Sequence, residues 1–284
     1  MKTNLDCIPC FLDQALRAGR IYTDDKKLLK QILDEVATIL PDVPLDHKPP
    51  ETGDLIYKKI KKITKTQDPL KSVKRKSTEE ALELFPLYEK KLKAIESQEK
   101  KLLFAIKLAI AGNIIDFAVE DEFDIKKDVD EVLNKELAIN HIEKFKKELE
   151  KAETILYIAD NAGETVFDRF LISELDHKVL YVVRDEPVIN DATREDAKAA
   201  GIDELATIIE SGSTSPGLLI KNTTPEFKDL FEKVDMVVSK GQGNFEGLSE
   251  ENRPIFFLLK AKCEVIANHL GVSKDDIVLK AINI

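Results

Sequence analysis

The chain lacks several features that mark whole classes of protein. Its 284 residues include no tryptophan, two methionines and three cysteines, and three cysteines are too few for a disulfide scaffold. No apolar run reaches the ~18 residues that a membrane-spanning helix requires. The first ten residues contain no apolar stretch of the kind found in a secretory signal. We therefore expect a soluble, cytoplasmic protein.

The charge of the chain argues against one further class. Its formal net charge of −10 disfavours a general nucleic-acid-binding protein. Charged residues, mostly lysine, glutamate and aspartate, make up 34% of the chain, and this enrichment is typical of proteins from thermophiles. Hydrophobic residues make up 43%, so a chain of this length is able to form one large domain or two ordinary ones.

Two patterns of hydrophobic residues divide the chain near residue 152. Residues 1–152 indicate amphipathic helices, including a core helix at 98–120 that is apolar on nearly all sides. Residues 121–149 indicate a charged helical segment. From residue 153 onward, apolar β-branched runs alternate with helical patterns. We therefore predict an α/β protein with a helical domain at 1–152 and a mostly parallel sheet, covered by helices on both faces, at 153–284.

Polar side chains follow the first predicted strand, Ile155 to Ala159. Asp160 and Asn161 come directly after it, at the strand end where ligands bind in open α/β sheets. Their oxygens are hard ligands that suit a divalent cation, and the helix that follows offers backbone N–H groups to a phosphate. For this stretch alone, a helix cap at Asp160 or Thr165 is the simpler interpretation.

Later strand ends carry further polar groups. The segment PVINDAT, which contains Asp191, follows the strand KVLYVV. A small-residue loop from Ser211 follows the next strand, and it either binds an anion or is a flexible connector. Lys240 ends a fourth strand, and we interpret it as a phosphate-binding lysine. Because parallel neighbours place these ends on one edge of the sheet, the sequence predicts a site for a metal and a phosphate there.

Two groups of residues have open interpretations. Asn113 and Asp116 lie three residues apart on one face of the predicted core helix, and a buried aspartate without a partner is costly. They either form a hydrogen-bonded pair that joins two domains or point into a polar site. Cys7 and Cys10 form a CxxC pair, which indicates half a zinc site, a redox pair or packing.

Six segments occur in order along the chain: CIPC, AGNIIDF, ADNAGE, PVINDAT, SKGQGNFE and AKC. Together they resemble the damage-control phosphatases, a family long catalogued as a domain of unknown function, and the CxxC resembles its archaeal and bacterial branch. The resemblance covers essentially the whole chain. It implies a helical N-terminal part, a three-layer α/β/α sandwich, and a divalent-metal phosphatase acting on small phosphorylated metabolites. By motif, it implies metal ligands at Asp160, Asn161 and Asp191, and substrate or phosphate contacts at Asn113, Asp116, Glu164, Lys240, Asn244 and Glu246.

From these residue types we expect one divalent ion, Mg²⁺, Mn²⁺, Co²⁺ or Ni²⁺, to activate water and polarise a phosphoryl oxygen. We assign catalysis to Asp160, Lys240 and Asp116, of which Lys240 neutralises charge and Asp116 orients the water with Asn113. Ser211 joins the phosphate contacts. The alternatives are covalent attack by an aspartate, carboxyl methyl transfer from S-adenosylmethionine, and non-catalytic binding of metal or phosphometabolite. The expected partner is a sugar phosphate or a damaged phosphometabolite, not nucleic acid or membrane, and the sequence specifies no oligomeric state.

Overall fold

The computed structural model describes residues 1–112 and 125–284. The helices described there are α1 (Cys7–Tyr22), α2 (Lys26–Ala37), α3 (Pro49–Thr64), α4 (Lys71–Lys93), α5 (Gln98–Ala111), α6 (Ile125–Asn134), α7 (Ile142–Leu149), α8 (Glu164–Leu175), α9 (Arg194–Ala199), α10 (Pro225–Lys233), α11 (Gln242–Leu248) and α12 (Glu264–Leu270). The strands are β1 (Leu137–Asn140), β2 (Thr154–Ile158), β3 (Lys178–Val183), β4 (Thr207–Glu210), β5 (Met236–Lys240), β6 (Ile255–Lys260) and β7 (Ile277–Ile282). In this part of the chain no helix combines the length and the hydropathy that a membrane crossing needs.

A single seven-stranded sheet organises the fold, with the order β1-β7-β6-β5-β2-β3-β4. Strands β6, β5, β2, β3 and β4 run parallel to one another. Strand β7 is antiparallel to β6, and β1 pairs with β7 in parallel. The mostly parallel sheet predicted from the alternation of strands and helices is therefore confirmed.

Helices cover both faces of this sheet. Successive residues of a strand point to opposite faces, so each buried strand contributes side chains to two cores. On β2, Ile155 and Tyr157 belong to a core that also contains side chains of α4, α5 and α8. Leu156 and Ile158 belong to a second core, which contains side chains of α10, α11 and α12. The α/β/α sandwich that the resemblance implied is confirmed by these two layers of helices.

Helices α1, α2 and α3 have a third core of their own, built around Phe11, Ile32 and Ile56. One residue of the α/β part, Val188, is buried in this core, and Ile189 packs against it. Because both residues lie in the loop between β3 and α9, the helical part helps to fix the position of that loop.

One element was not predicted. The segment 121–149 was expected to be helical, and this expectation is wrong for β1, which lies between α6 and α7. Its apolar run, Leu137 to Ile139, is only three residues long, and only Leu137 is buried. Its partner β7 lies about 140 residues away in the sequence. The division at residue 152 stays a prediction: β1, α4 and α5 precede it, yet they contribute to the sheet and its core.

Candidate active site

Two loops at the carboxyl edge of the parallel strands are joined by their main chains. The N–H of Ala192 donates to the carbonyl oxygen of Asp160 at 2.8 Å, and the N–H of Ala162 donates to the carbonyl oxygen of Asn190 at 2.8 Å. This antiparallel bridge links the end of β2 to the loop after β3. It brings together the three predicted metal ligands, whose role as ligands stays a prediction: Asp160, Asn161 and Asp191.

The side chains of this trio are enclosed. Asp160 is 9% exposed, Asn161 6% and Asp191 3%. Burial raises the pKa of Asp191 to about 7; Arg184 opposes the rise, whereas the charge of Asp160 adds to it. Two buried carboxylates that repel each other are costly, and a divalent cation bound between them would offset that cost. The donor set therefore fits a hard divalent cation.

Asn161 is oriented by its neighbour on α8. Its amide Nδ2 donates to Oε1 of Glu164 at 2.7 Å, which leaves its Oδ1 as the amide atom that can face a cation. Among the residues that the structure describes, no three histidine, cysteine, aspartate or glutamate side chains group into a ready metal site. A cation at this place would therefore need the Asn161 amide oxygen as well as the carboxylates of Asp160 and Asp191.

Gly241 makes room for the carboxylate of Asp160. Its φ is +79°, in the left-handed region that side chains other than glycine rarely adopt. A Cβ atom built on Gly241 would lie 1.8 Å from Oδ2 of Asp160. The carboxylate thus lies directly against the main chain of the loop between β5 and α11, and only glycine permits that approach.

Arg184, which follows the last residue of β3, is fully buried and contacts one member of the trio, Asp191. Its Nε donates to Oδ2 of Asp191 at 2.8 Å, and its Nη2 donates to Oδ1 of Asn244 at 2.8 Å. Its Nη1 is buried and has no hydrogen-bond acceptor among the described residues. Arg184 therefore holds one predicted metal ligand in place and adds a positive charge beside it.

Asn244, predicted to contact substrate, makes four hydrogen bonds within the protein. Its Oδ1 accepts from Arg184 and from the N–H of Leu218 at 2.8 Å, while its Nδ2 donates to the carbonyl oxygens of Ala159 at 2.9 Å and Lys240 at 2.7 Å. This amide ties the ends of β2, β3 and β5 together. Its predicted contact with substrate stays a prediction, and the structure gives it a bracing role.

Lys240 is fully buried, and it lies between two carboxylates of α8. Its Nζ is 3.1 Å from Oε2 of Glu164 and 2.7 Å from Oδ1 of Asp168. Burial on its own would lower the pKa of Lys240, but Asp168 and Glu164 outweigh it and raise that pKa. Burial also raises the pKa of Glu164 to about 8, a rise that Lys240 opposes and Asp160 reinforces.

Two other predicted contacts, Ser211 and Glu246, have hydrogen-bond partners within the protein. The hydroxyl of Ser211 donates to the carbonyl oxygen of Val183 at the end of β3, at 3.4 Å, and accepts from the N–H of Ser213 at 3.2 Å. At the far end of the Ser211 loop, the N–H of Gly217 donates to Asp191. Glu246 accepts a hydrogen bond from Gln242 at 3.0 Å. Burial raises the pKa of Glu246 to about 7, and the charge of Asp160 contributes to this rise.

Asn113 and Asp116 lie outside the described residues, so their predicted roles stay predictions. The described chain before them ends at Gly112, beside the first turn of α8. A Cβ atom on Gly112 would lie 3.2 Å from Cα of Glu164. The C-terminal end of α5 therefore reaches the residue that contacts both Asn161 and Lys240.

The first backbone N–H groups of α8, at Gly163, Glu164 and Thr165, were expected to bind phosphate. Those of Glu164 and Thr165 donate to the carbonyl oxygens of Asn161 and Ala162 at 3.2 Å each, so the expectation stays a prediction for Gly163 alone. The chain forms a tight turn here, and the turn uses these donors itself. Positive charge at the site is supplied by the side chains of Lys240 and Arg184.

All three cysteines are free thiols. Burial raises the pKa of Cys7 and Cys10, and the charge of Cys263 and Glu246 adds to both rises, so the structure gathers the three thiols in one region. Gln242 links this region to the site, because its Nε2 lies 3.6 Å from Sγ of Cys263 and also donates to Glu246.

Three side chains next to Lys240 were not predicted from the sequence: Asp168, Tyr157 and Tyr181. Asp168 follows Glu164 by four residues, so both lie on one face of α8, and this spacing is a signal that was available. Tyr157 and Tyr181 are register partners on β2 and β3. Both tyrosine hydroxyls donate to Asp168 at 2.7 Å.

Known proteins match this chain over nearly its whole length. Residues 3–278 match the family model described as the damage-control phosphatase ARMT1-like domain. A damage-control phosphatase of Pyrococcus horikoshii is 37% identical over 98% of this chain and 97% of its own length. Another, from Archaeoglobus fulgidus, is 31% identical over 99% of this chain and 100% of its own. The crystal structure of a DUF89 family protein from Pyrococcus horikoshii superposes with a TM-score of 0.88 at 35% identity, covering 98% of both chains.

Proposed function

The chain belongs to the damage-control phosphatase family with the ARMT1-like domain, and from this premise we propose that it hydrolyses phosphate monoesters of small metabolites with one divalent metal ion. Sugar phosphates and damaged phosphometabolites are the proposed substrates. In this reaction a water oxygen forms a bond to phosphorus and the P–O bond to the metabolite breaks, which yields inorganic phosphate and an alcohol.

The observation that carries the proposal is the bridge between the loops after β2 and β3. It supports a cation site because it joins two carboxylates and an amide oxygen at one buried place: Asp160, Asn161 and Asp191. A bound Mg²⁺, Mn²⁺, Co²⁺ or Ni²⁺ would supply Lewis acidity to the phosphoryl group and lower the pKa of a bound water.

The side chains around the trio have separate proposed tasks. Lys240 offers its positive charge to the phosphoryl oxygens, where negative charge develops during the transfer. Arg184 holds Asp191, and Glu164 holds the amide of Asn161. Asp116 is proposed to orient the attacking water, with Asn113 holding Asp116. Because the trio and Lys240 are enclosed, these charges act in a medium of low dielectric constant, where they are stronger than in water.

The experiment measures phosphate release from a panel of sugar phosphates, nucleotide-derived phosphates and a generic aryl phosphate with each of the four metals. We expect release that depends on metal, disappears with a chelator and disappears in Asp160→Ala. Asp235→Asn is the matched control, because Asp235 accepts N–H groups from Glu153 and Thr154 at the opposite end of β2; this variant should keep its activity. Phosphate release that survives both chelation and Asp160→Ala would rule out the proposed centre.

Methyl transfer is not favoured by any observation. The turn after β2, DNAGE, contains one glycine, whereas a glycine-rich turn is expected after the first strand of such a transferase. The relatives from Pyrococcus horikoshii and Archaeoglobus fulgidus are both named damage-control phosphatases. Phosphate hydrolysis is therefore the function that the site supports best.

A further inference from the structure

Asp168 lies at the centre of a buried polar cluster that three strands share. It accepts hydrogen bonds from the hydroxyl of Tyr157 on β2, the hydroxyl of Tyr181 on β3 and Nζ of Lys240 on β5, each at 2.7 Å. All four side chains are fully buried. The two tyrosine rings stack with their centroids 5.4 Å apart, which fixes the positions of both hydroxyls.

Burying such a cluster in a protein core carries a large desolvation cost. A buried ion pair costs so much desolvation that apolar side chains of similar volume often give equal or greater stability. Here an ammonium, two carboxylates and two hydroxyls lie under the first two turns of α8, where leucine and phenylalanine would pack without that cost. Stability alone therefore gives little reason for Lys240 to be charged and buried at this place.

The hydrogen-bond geometry gives another reason. An ammonium group has three N–H donors, and the described residues accept two of them, at Glu164 and Asp168. One donor of Lys240 remains for an oxygen of a bound ligand. The two tyrosine hydroxyls donate to Asp168, which stabilises its ionised form and fixes the direction from which it accepts a hydrogen bond from Lys240.

The position of Lys240 in the chain connects this cluster to the predicted metal ligands. The next residue is Gly241, against which the carboxylate of Asp160 lies. The carbonyl oxygen of Lys240 accepts from Asn244, which also binds Arg184. A shift of the Lys240 side chain would therefore move a charge that lies close to the site of phosphoryl transfer.

We propose that Asp168, with Tyr157 and Tyr181, is a positioning residue that aims the third N–H of Lys240 at a phosphoryl oxygen of the substrate. This inference rests on the proposed phosphatase function and adds to it a device for holding a catalytic lysine. Asp168 itself acts through Lys240 and does not touch the substrate.

The test compares Tyr157→Phe, Tyr181→Phe and Asp168→Asn with wild type in the Mn²⁺-loaded protein. Each Tyr→Phe change removes one hydrogen bond, and we expect kcat to fall about fivefold. Asp168→Asn removes a charged partner, and we expect a fall of about 100-fold. KM and the affinity for Mn²⁺ should stay within about twofold of wild type, because no proposed metal ligand is touched.

The pH dependence of kcat provides a second readout that a packing defect would not change. Among the described residues, Glu164 and Asp168 face Nζ of Lys240, and Tyr157 and Tyr181 lie beyond Asp168. Since Asp168 helps to hold the pKa of Lys240 up against burial, the alkaline limb of kcat should move to lower pH in Asp168→Asn.

Tyr22→Phe is the matched control, because the hydroxyl of Tyr22 donates to the carbonyl oxygen of Thr64 at 2.8 Å in the helical part; its kcat should not change. If wild type is active and the Tyr→Phe variants keep full kcat, the positioning role is wrong and the phosphatase function stands. If Mn²⁺ affinity falls in step with kcat, or the alkaline limb of kcat does not move in Asp168→Asn, the cluster is only structural and the inference is overturned. If wild type releases no phosphate from any substrate, the proposed function fails, and this inference fails with it.

Discussion

Replacement of Gly241 by alanine tests how closely the main chain supports Asp160. A Cβ atom at this position would lie 1.8 Å from Oδ2 of Asp160, whereas ordinary contacts begin at 3.4 Å. The carboxylate would have to move by about 1.6 Å, while metal–oxygen distances tolerate only about 0.2 Å. We expect Gly241→Ala to lose about 100-fold or more in Mn²⁺ affinity and to lose metal-dependent phosphate release with it.

Backbone strain adds a separate cost. Gly241 has φ +79° and ψ 164°, a region that only glycine occupies readily, and alanine there should cost about 1–3 kcal/mol of unfolding free energy. Gly271→Ala is the control for strain, because Gly271 has φ +73° and its Cβ would have no neighbour within 4 Å. This variant should lose about 1–2 kcal/mol and keep the Mn²⁺ affinity of wild type.

The assay pairs calorimetric titration with Mn²⁺ and urea unfolding in the presence of a chelator. In the unfolding experiments, a thermodynamic cycle with Asp160→Ala removes the contact with the carboxylate and leaves only the Cβ of residue 160, at 2.9 Å, so Gly241→Ala should cost less in that background than in wild type. Wild-type Mn²⁺ affinity in Gly241→Ala would refute the reasoning. So would an equal loss of affinity in Gly271→Ala.

Two further predictions concern buried charges. Without metal, burial raises the pKa of Glu164 to about 8 and of Asp191 to about 7. Below pH ~4 both carboxyl groups are protonated in the folded and the unfolded chain. As the pH rises through the folded-state pKa values, the unfolded chain ionises more easily than the folded one, and the folded state loses stability. The melting temperature of the chelated protein should therefore fall between about pH 5 and 8, and Mn²⁺ should reverse the fall; a flat profile with chelator would contradict this. Lys74→Met should cost about 3 kcal/mol in urea unfolding, because buried Lys74 pairs with Asp68 at 2.8 Å and Asp196 at 2.9 Å; a loss below about 1 kcal/mol would contradict the estimate.

The central strands could be predicted because their burial is visible in the sequence. Strand β2 is buried at four of its five positions, the run Ile155 to Ile158. Strand β5 is buried at all five, and its first three residues are the apolar run Met236 to Val238. Strand β1 gave a weaker signal, because its apolar run, Leu137 to Ile139, stands in a charged segment and only one of its four residues is buried. Its existence depends on pairing with β7, which local sequence does not encode.

The convergence of the three predicted metal ligands could be predicted from the sequence, but the contacts that produce it could not. Asp160, Asn161 and Asp191 stand at strand ends, where polar residues after apolar runs are conspicuous. What joins them is a pair of main-chain hydrogen bonds between loops about 30 residues apart, and main-chain bonds leave little trace in side-chain identity. The sequence therefore predicts which residues converge, and the structure supplies the bridge that makes them converge.

Asp168 illustrates a second kind of omission. It lies inside a helix among apolar neighbours such as Phe167 and Phe170, at a place where a single acidic residue is usually taken for a solvent-facing one. Its role becomes visible only when α8 is placed over β2, β3 and β5, since its three donors come from those strands.

The most direct test of the account is anomalous diffraction at the manganese edge from crystals grown with Mn²⁺. The account predicts one strong peak within coordination distance of carboxylate oxygens of Asp160 and Asp191 and of Oδ1 of Asn161. A peak elsewhere in the molecule with this trio unoccupied, or no peak at saturating Mn²⁺, would contradict it.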